Sequence, residues 1–243
     1  MPSTPPLPHA PCSAGTDALL LDFGGTIEGD GVHWAPRFYA AYRAAGGGLP
    51  YPAFEPLFVA SDRDLEDLAD IRHRGFQATV EAEAQLLGAR LEAAASETVD
   101  TLRIAEHFYA EAVAAVARNR PVLERLAARY RLAVVSNFTG NLDVCLRELD
   151  LLGLFAVTVD STVIGIRKPA PGIFLHALAA LRAAPRCAWM VGDNLAFDLR
   201  PAGGLGLRTC WIAPADRLPP PDWAPTARIQ RLVELGALFL NGG

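Results

Sequence analysis

What the sequence lacks narrows it first. There is no excess of basic residues: 22 lysines and arginines stand against 27 aspartates and glutamates, a formal net charge of −5. Nucleic-acid binding draws much of its affinity from neutralising phosphates, so no nucleic-acid partner is expected. Cysteines are few, and the four present, Cys12, Cys145, Cys187 and Cys210, include no C-x-x-C pair. Neither a zinc site nor a disulfide framework is indicated, and reduced, buried thiols are the expectation. No apolar run approaches the roughly 20 residues that cross a bilayer, so no membrane partner is expected. The start, Met1-Pro2-Ser3-Thr4-Pro5-Pro6-Leu7-Pro8, has neither the basic nor the apolar region of a signal peptide. A cytoplasmic location fits these absences. Residues 1–16 are rich in Pro and Ser with nothing to bury, which predicts a mobile arm.

What is present is the composition of an ordered chain. Of 243 residues, 51% are apolar and 20% charged, enough to build a substantial core. The stretch around which the rest is organised runs Ala18-Leu19-Leu20-Leu21-Asp22-Phe23-Gly24-Gly25-Thr26-Ile27. Four apolar residues lead straight into a carboxylate, the pattern of a strand buried on both faces that delivers Asp22 to its C-terminal edge. Open α/β sheets bind ligands at that edge. Taken alone, an Asp there is equally explained as a turn or helix-cap residue. Three later stretches bring reactive polar groups in the same way: Leu132-Ala133-Val134-Val135-Ser136-Asn137, then Gly165-Ile166-Arg167-Lys168-Pro169, then Trp189-Met190-Val191-Gly192-Asp193-Asn194 with Asp198 following.

In order and spacing these four stretches resemble the motifs of the haloacid dehalogenase-like (HAD) hydrolase superfamily, over about Asp17 to Trp211. The resemblance implies an α/β fold with a Rossmann-like parallel-sheet core and an inserted all-helical cap. It implies Asp22 as a nucleophile that forms an aspartyl-phosphate. It implies Mg²⁺ held by Asp22, the backbone carbonyl of Gly24 and Asp193, with Asp198 orienting the metal's water shell or Lys168. Ser136 and Lys168 match the groups that donate to and neutralise the phosphoryl oxygens, and Asn137, Gly25 and Thr26 match further substrate contacts. Chemistry agrees with these residue types: Mg²⁺ takes oxygen ligands, and a transferring phosphoryl group needs a nucleophile, donors and positive charge. The implied partner is a small phosphorylated metabolite, and the implied assembly a monomer or homodimer.

The texture along the chain divides it. After the first strand, Glu28-Gly29-Asp30-Gly31 punctuates strongly, and an Ala- and Glu-rich segment with helix-period apolar positions follows. Core residues 17–32 and 118–243 would thus flank a helical cap over 33–117. Within it, Trp34, Phe38 and Tyr42 fall at i, i+4 and i+8, the spacing of residues that pack one face of a first helix. Asp70-Ile71-Arg72-His73-Arg74-Gly75 reads either as a solvated helix end closed by its glycine or as a contact from Arg72 and Arg74 to a substrate anion. From Pro121 helices and strands alternate: a helix to about Tyr130, the strand Leu132–Ser136, a helix over Leu142–Leu149, a strand near Phe155–Val159, a helix over Pro171–Leu181, the strand Ala188–Val191, a helix from Leu195 and the strand Thr209–Ile212. A proline-rich connector over Pro214–Pro225 and an amphipathic helix over Arg228–Leu240 close the chain. Such alternation predicts a parallel sheet with helices on both faces.

One position departs from the resemblance. Phosphatases of the superfamily read Asp-x-Asp-Gly-Thr, and here the second Asp is Gly24. That Asp protonates the leaving alcohol and then activates the hydrolytic water, a role worth typically 10²–10⁴-fold. Three readings follow. The protein is a Mg²⁺-dependent phosphatase that is slow, takes acidic leaving groups, or borrows Glu28, Asp30 or His33 as a substitute acid. Alternatively it is a dehalogenase-like hydrolase of another bond, since a halide leaves without protonation, although such enzymes work without metal and the Gly192-Asp193-Asn194 and Asp198 motif suits one. The third is a phosphate-binding pseudoenzyme.

Overall fold

The computed structural model describes residues 17–240; the arm expected over residues 1–16 lies outside them. The first strand, β1 (Ala18–Leu21), is buried along its whole length, as its unbroken apolar run requires. The chain between it and β2 (Arg131–Ser136) is helical: α1 (Trp34–Ala44), α2 (Tyr51–Glu66), α3 (Phe76–Ala95) and α4 (Thr101–Ala127). After β2 come α5 (Leu142–Glu148), β3 (Val157–Asp160), the short α6 (Ser161–Ile164), α7 (Pro171–Leu181), β4 (Ala188–Gly192), α8 (Arg200–Gly204), β5 (Arg208–Ile212), β6 (Ala227–Ile229) and α9 (Leu235–Phe239).

The strands form one parallel sheet in the order β3-β2-β1-β4-β5-β6. From β1 the chain builds outward through β2 and β3, then returns to the far side of β1 to lay down β4. β1 and β4 therefore mark the point where the strand order reverses, and the crevice beyond their C-terminal ends is where such sheets take ligands. Alternate strand residues feed opposite faces. Leu19, Leu21, Val134 and Val191 share a core with α1 to α5, while Leu20, Val135 and Met190 pack against α7 and α8.

The inserted helices and the sheet share one buried cluster. Phe23, just past β1, meets Phe76 of α3 edge-on with ring centres 5.6 Å apart, and Trp34 of α1 meets Phe108 of α4 at 5.0 Å. Aromatic pairs of this geometry add about 0.5–1.5 kcal/mol each beyond the area they bury. Trp34, Phe38 and Tyr42 all lie on the buried face of α1, as their spacing predicts.

Several local expectations are corrected. Pro121 does not start a helix: α4 runs through it, so the boundary expected between residues 117 and 118 falls inside one helix. Proline removes one ladder hydrogen bond, but Ala112, Val116, Asn119, Val122, Leu123 and Leu126 carry the buried stripe across it, and packing overrides the local signal. The closing segment is not one amphipathic helix. Arg228 lies in β6, whose hydrogen bonds go to β5, and only the 3-10 turn Leu232–Glu234 and the short α9 are helical. Gly75 ends no helix; it precedes α3, where Glu148 Oε1 accepts the Gln77 N–H at 3.0 Å, and a Cβ on Gly75 would collide with the same carboxylate. Cys145 and Cys210 are free and buried, as expected. Cys187 is disulfide-bonded, which corrects the expectation of a reduced thiol there.

Candidate active site

Each strand end at the switch point presents a polar group. β1 leads into Asp22, β2 ends in Ser136, and β4 ends in Gly192 before Asp193. Lys168 comes from the loop between α6 and α7. Ser136 Oγ donates to Asp22 Oδ1 at 3.0 Å, and Lys168 Nζ stands 2.6 Å from the same oxygen. Lys168 also donates to Asp198 Oδ1 at 2.7 Å and to the Val135 carbonyl at 3.1 Å, so all three ammonium hydrogens are spoken for. Asn137 clips the loop that carries it: its Nδ2 donates to the Lys168 carbonyl at 3.0 Å and its Oδ1 accepts the Lys168 N–H at 2.8 Å.

Two glycines let the carboxylates approach. Gly25 has φ +77°, and a Cβ there would stand 2.7 Å from Asp193 Oδ2. A Cβ on Gly192 would stand 2.6 Å from Asp198 Oδ2. Carboxylate oxygens of Asp22, Asp193 and Asp198, all three buried, lie within 4.8 Å of one another. Thr26 Oγ1 is a long 3.5 Å from Asp193 Oδ1. Asp198 is held at both ends, by Lys168 on Oδ1 and by the Asn194 N–H on Oδ2 at 3.1 Å. It sits on the turn that follows Asn194, whose own Oδ1 accepts the N–H groups of Ala196 and Phe197.

The electrostatics follow from burial and like charge. Burial, then the charges of Asp22 and Asp198, raises the Asp193 carboxyl well above the ordinary range. Burial pushes Asp198 up to about 6 against the pull of Lys168. Burial opposes the charge on Lys168, yet Asp198 and Asp22 more than offset it and its pKa rises. Three carboxylates with one ammonium make a donor set of hard oxygens that fits a divalent cation.

A cavity of about 880 Å³ opens over this cluster. Asp22, Gly24, Ser136, Asn137, Lys168 and Asp198 line it, whereas Gly25, Thr26 and Asp193 are not on its wall. Arg72 and Arg74 do not line it either, and Arg74 pairs with Asp70 at 3.0 Å. Beside Lys168, the basic side chains that line it are His33, Arg63, Arg167 and Arg217, and α2 contributes Tyr51, Phe58 and Asp62. Of these, His33 and Arg167 carried a sequence signal; the α2 residues reach the site through the packing of α2 on α1 and α3.

Two of the three substitute acids are occupied elsewhere. Glu28 is fully buried, with Oε1 accepting the Gly25 N–H at 2.7 Å and the Trp34 indole N–H at 2.9 Å, and Oε2 paired with Arg37. Asp30 Oδ1 accepts from Asn119 Nδ2 and the Leu232 N–H, both at 3.0 Å, and its Oδ2 pairs with Arg118 at 3.0 Å. Neither acid lines the cavity.

A parallel sheet with its polar groups gathered at the switch point is the arrangement of a hydrolase core, and the family comparison is specific. A haloacid dehalogenase-like hydrolase model matches residues 16–206, and the chain belongs to that family. A phosphoserine phosphatase of Thermus thermophilus is 30% identical over 233 residues, 90% of this chain and 90% of that one. Among solved structures, the chain resembles the HAD-hydrolase YfnB of Bacillus subtilis in a magnesium-bound form, with TM-score 0.60 and 19% identity over 94% of this chain and 100% of that one. It also resembles a 2-haloacid dehalogenase of Pseudomonas syringae, with TM-score 0.53 and 23% identity over 94% and 100%. At these identities the structural likeness is one of fold.

Proposed function

We propose that the protein is a Mg²⁺-dependent phosphatase that hydrolyses a small phosphorylated metabolite through an aspartyl-phosphate on Asp22. The observation that carries this reading is the convergence of three buried carboxylates, Asp22, Asp193 and Asp198, around the single ammonium of Lys168. Buried charge of one sign is costly unless it is matched, and a divalent cation matches it. Asp22, the Gly24 carbonyl and Asp193 would hold Mg²⁺, which when bound neutralises charge on the carboxylates and on a phosphoryl group. A metal-free dehalogenase leaves that third carboxylate unexplained. The identity to a phosphoserine phosphatase points the same way, and the substrate class is inferred from it only as a phosphate monoester.

The residues divide the work. Asp22 Oδ1 accepts from Ser136 and Lys168, which leaves Oδ2 to attack phosphorus. Ser136 and Lys168 are placed to shift from that carboxylate to the phosphoryl oxygens as charge builds there. Asp198 and Asn137 fix Lys168 from its two ends. The carbonyl of Gly24 remains while its missing side chain removes a proton donor, so the deficit falls on the leaving group. Phosphate release with Mg²⁺ from alkyl, aryl and acyl phosphates, measured beside halide release from 2-haloacids, tests this reading with Asp22→Asn as control. Turnover of 2-haloacids that ignores Mg²⁺, with none of any phosphate, would overturn it in favour of the dehalogenase alternative that Gly24 leaves open.

A further inference from the structure

We infer that His33 is the general acid and base that replaces the side chain missing at Gly24. This rests on the phosphatase reading above. His33 immediately precedes α1, and its side chain makes no cap hydrogen bond. Its backbone abuts the nucleophile's loop, with its Cα 3.0 Å from where a Cβ on Gly25 would stand. It lines the cavity together with Asp22, Gly24, Ser136 and Lys168. Elimination narrows the choice further. Glu28 and Asp30 are held by neighbours and do not line the cavity. Asp198 is bonded through both oxygens.

Asp62 is the remaining competitor, since it lines the cavity and burial pushes its carboxyl up to about 6. The charges that act on Asp62, however, are Glu66, Arg167 and Arg63, away from the nucleophile. His33, by contrast, has its backbone against Gly25 of the nucleophile's own loop, and Asp22 and Lys168 of the reacting centre are among the charges that act on it.

The steps balance. As Asp22 Oδ2 bonds to phosphorus, the P–O bond to the alcohol breaks, and the imidazolium gives its proton to the departing oxygen. Water then attacks the aspartyl-phosphate; neutral His33 takes one water proton, the hydroxyl goes to phosphorus, and Asp22 is released as carboxylate.

The test is steady-state and burst kinetics of His33→Gln and His33→Asn, beside wild type, Asp22→Asn and Asp62→Asn, on phosphate monoesters whose leaving groups range from phenols to simple alcohols. Thermal melts confirm that the variants fold. Both His33 variants should lose about 10- to 1000-fold in kcat on alkyl phosphates, with KM changed little and a smaller loss on aryl phosphates. On an aryl ester they should show a burst of phenol, because dephosphorylation loses its base. Asp62→Asn should show no burst, and any loss it suffers should be the same for aryl and alkyl leaving groups. If folded His33 variants lose activity equally for all leaving groups, or not at all, while Asp22→Asn is dead, the role assigned to His33 is wrong and the phosphatase reading stands. If wild type hydrolyses no phosphate ester, both fall.

Discussion

Trp34 Nε1 lies 3.4 Å from the point at which a Cβ on Gly24 would stand. The backbone at Gly24, φ −65° and ψ 120°, is open to any residue. The Cβ of Gly24→Asp therefore meets the edge of the Trp34 indole, whose N–H is already given to Glu28, without a clash. Turnover of alkyl phosphates should rise roughly 10- to 1000-fold, and of aryl phosphates by less. The same substitution should restore most of the activity lost in His33→Gln. A Gly24→Asp protein that folds, binds Mg²⁺ and gains on no phosphate ester would remove the acid–base account of this position.

Asp193 tests the metal. Its carboxyl has Asp22 and Asp198 as near neighbours and lies off the cavity wall, so its loss should touch ion binding before substrate binding. Asp193→Asn should weaken Mg²⁺ tenfold or more in calorimetry, about 1.4 kcal/mol. Unchanged affinity would take Asp193 out of the site.

Glu28 looks catalytic by its distance from Asp22 in sequence and is structural by its bonds. Removing it leaves Arg37 buried without its partner and frees the Gly25 and Trp34 N–H groups. Glu28→Ala should cost about 3–5 kcal/mol in chemical denaturation. A variant of unchanged stability that lost activity only on basic leaving groups would contradict this and return Glu28 to the list of acids.

Glu83 of α3, which is not on the cavity wall, is expected to give the fold a pH dependence. Its Oε1 accepts the Ser61 hydroxyl at 2.5 Å, and its Oε2 is buried without a partner. Burial pushes the carboxyl up to about 8 from an ordinary 4.5; the Ser61 bond opposes this and the charges of Asp62 and Asp64 assist it. Between those values the folded chain binds a proton that the unfolded chain has released. Its stabilising share is complete below pH 4.5 and is lost as pH rises toward 8. Glu83→Gln mimics the protonated acid, so its Tm should fall less than that of wild type from pH 5 to pH 8. At pH 8 the variant should be the more stable by about 2–4 kcal/mol. Parallel Tm curves for the two proteins would show that Glu83 is not the cause.

The chain alone determined what is local. The run Leu19-Leu20-Leu21 before Asp22, and its counterparts before Ser136 and Asp193, placed three polar groups at strand ends, because apolar runs of that length bury themselves and stop where polarity begins. A parallel sheet then has one edge for all of them, so Asp22, Ser136, Lys168, Asp193 and Asp198 were legible together, and Gly24 was legible as a gap. What the chain could not disclose depended on partners far away along it. Asp30 looked available until Asn119 and the N–H of Leu232 claimed its oxygens. Glu28 looked available until Arg37 and Trp34 turned with α1 to meet it, and α4 ran through Pro121 because its buried stripe outweighed one lost hydrogen bond. Those outcomes belong to tertiary structure, since a hydrogen bond or a buried face is decided by which distant residue arrives and not by the residue's own neighbours in sequence. The same packing left His33 on the wall of the cavity that Asp22 also lines.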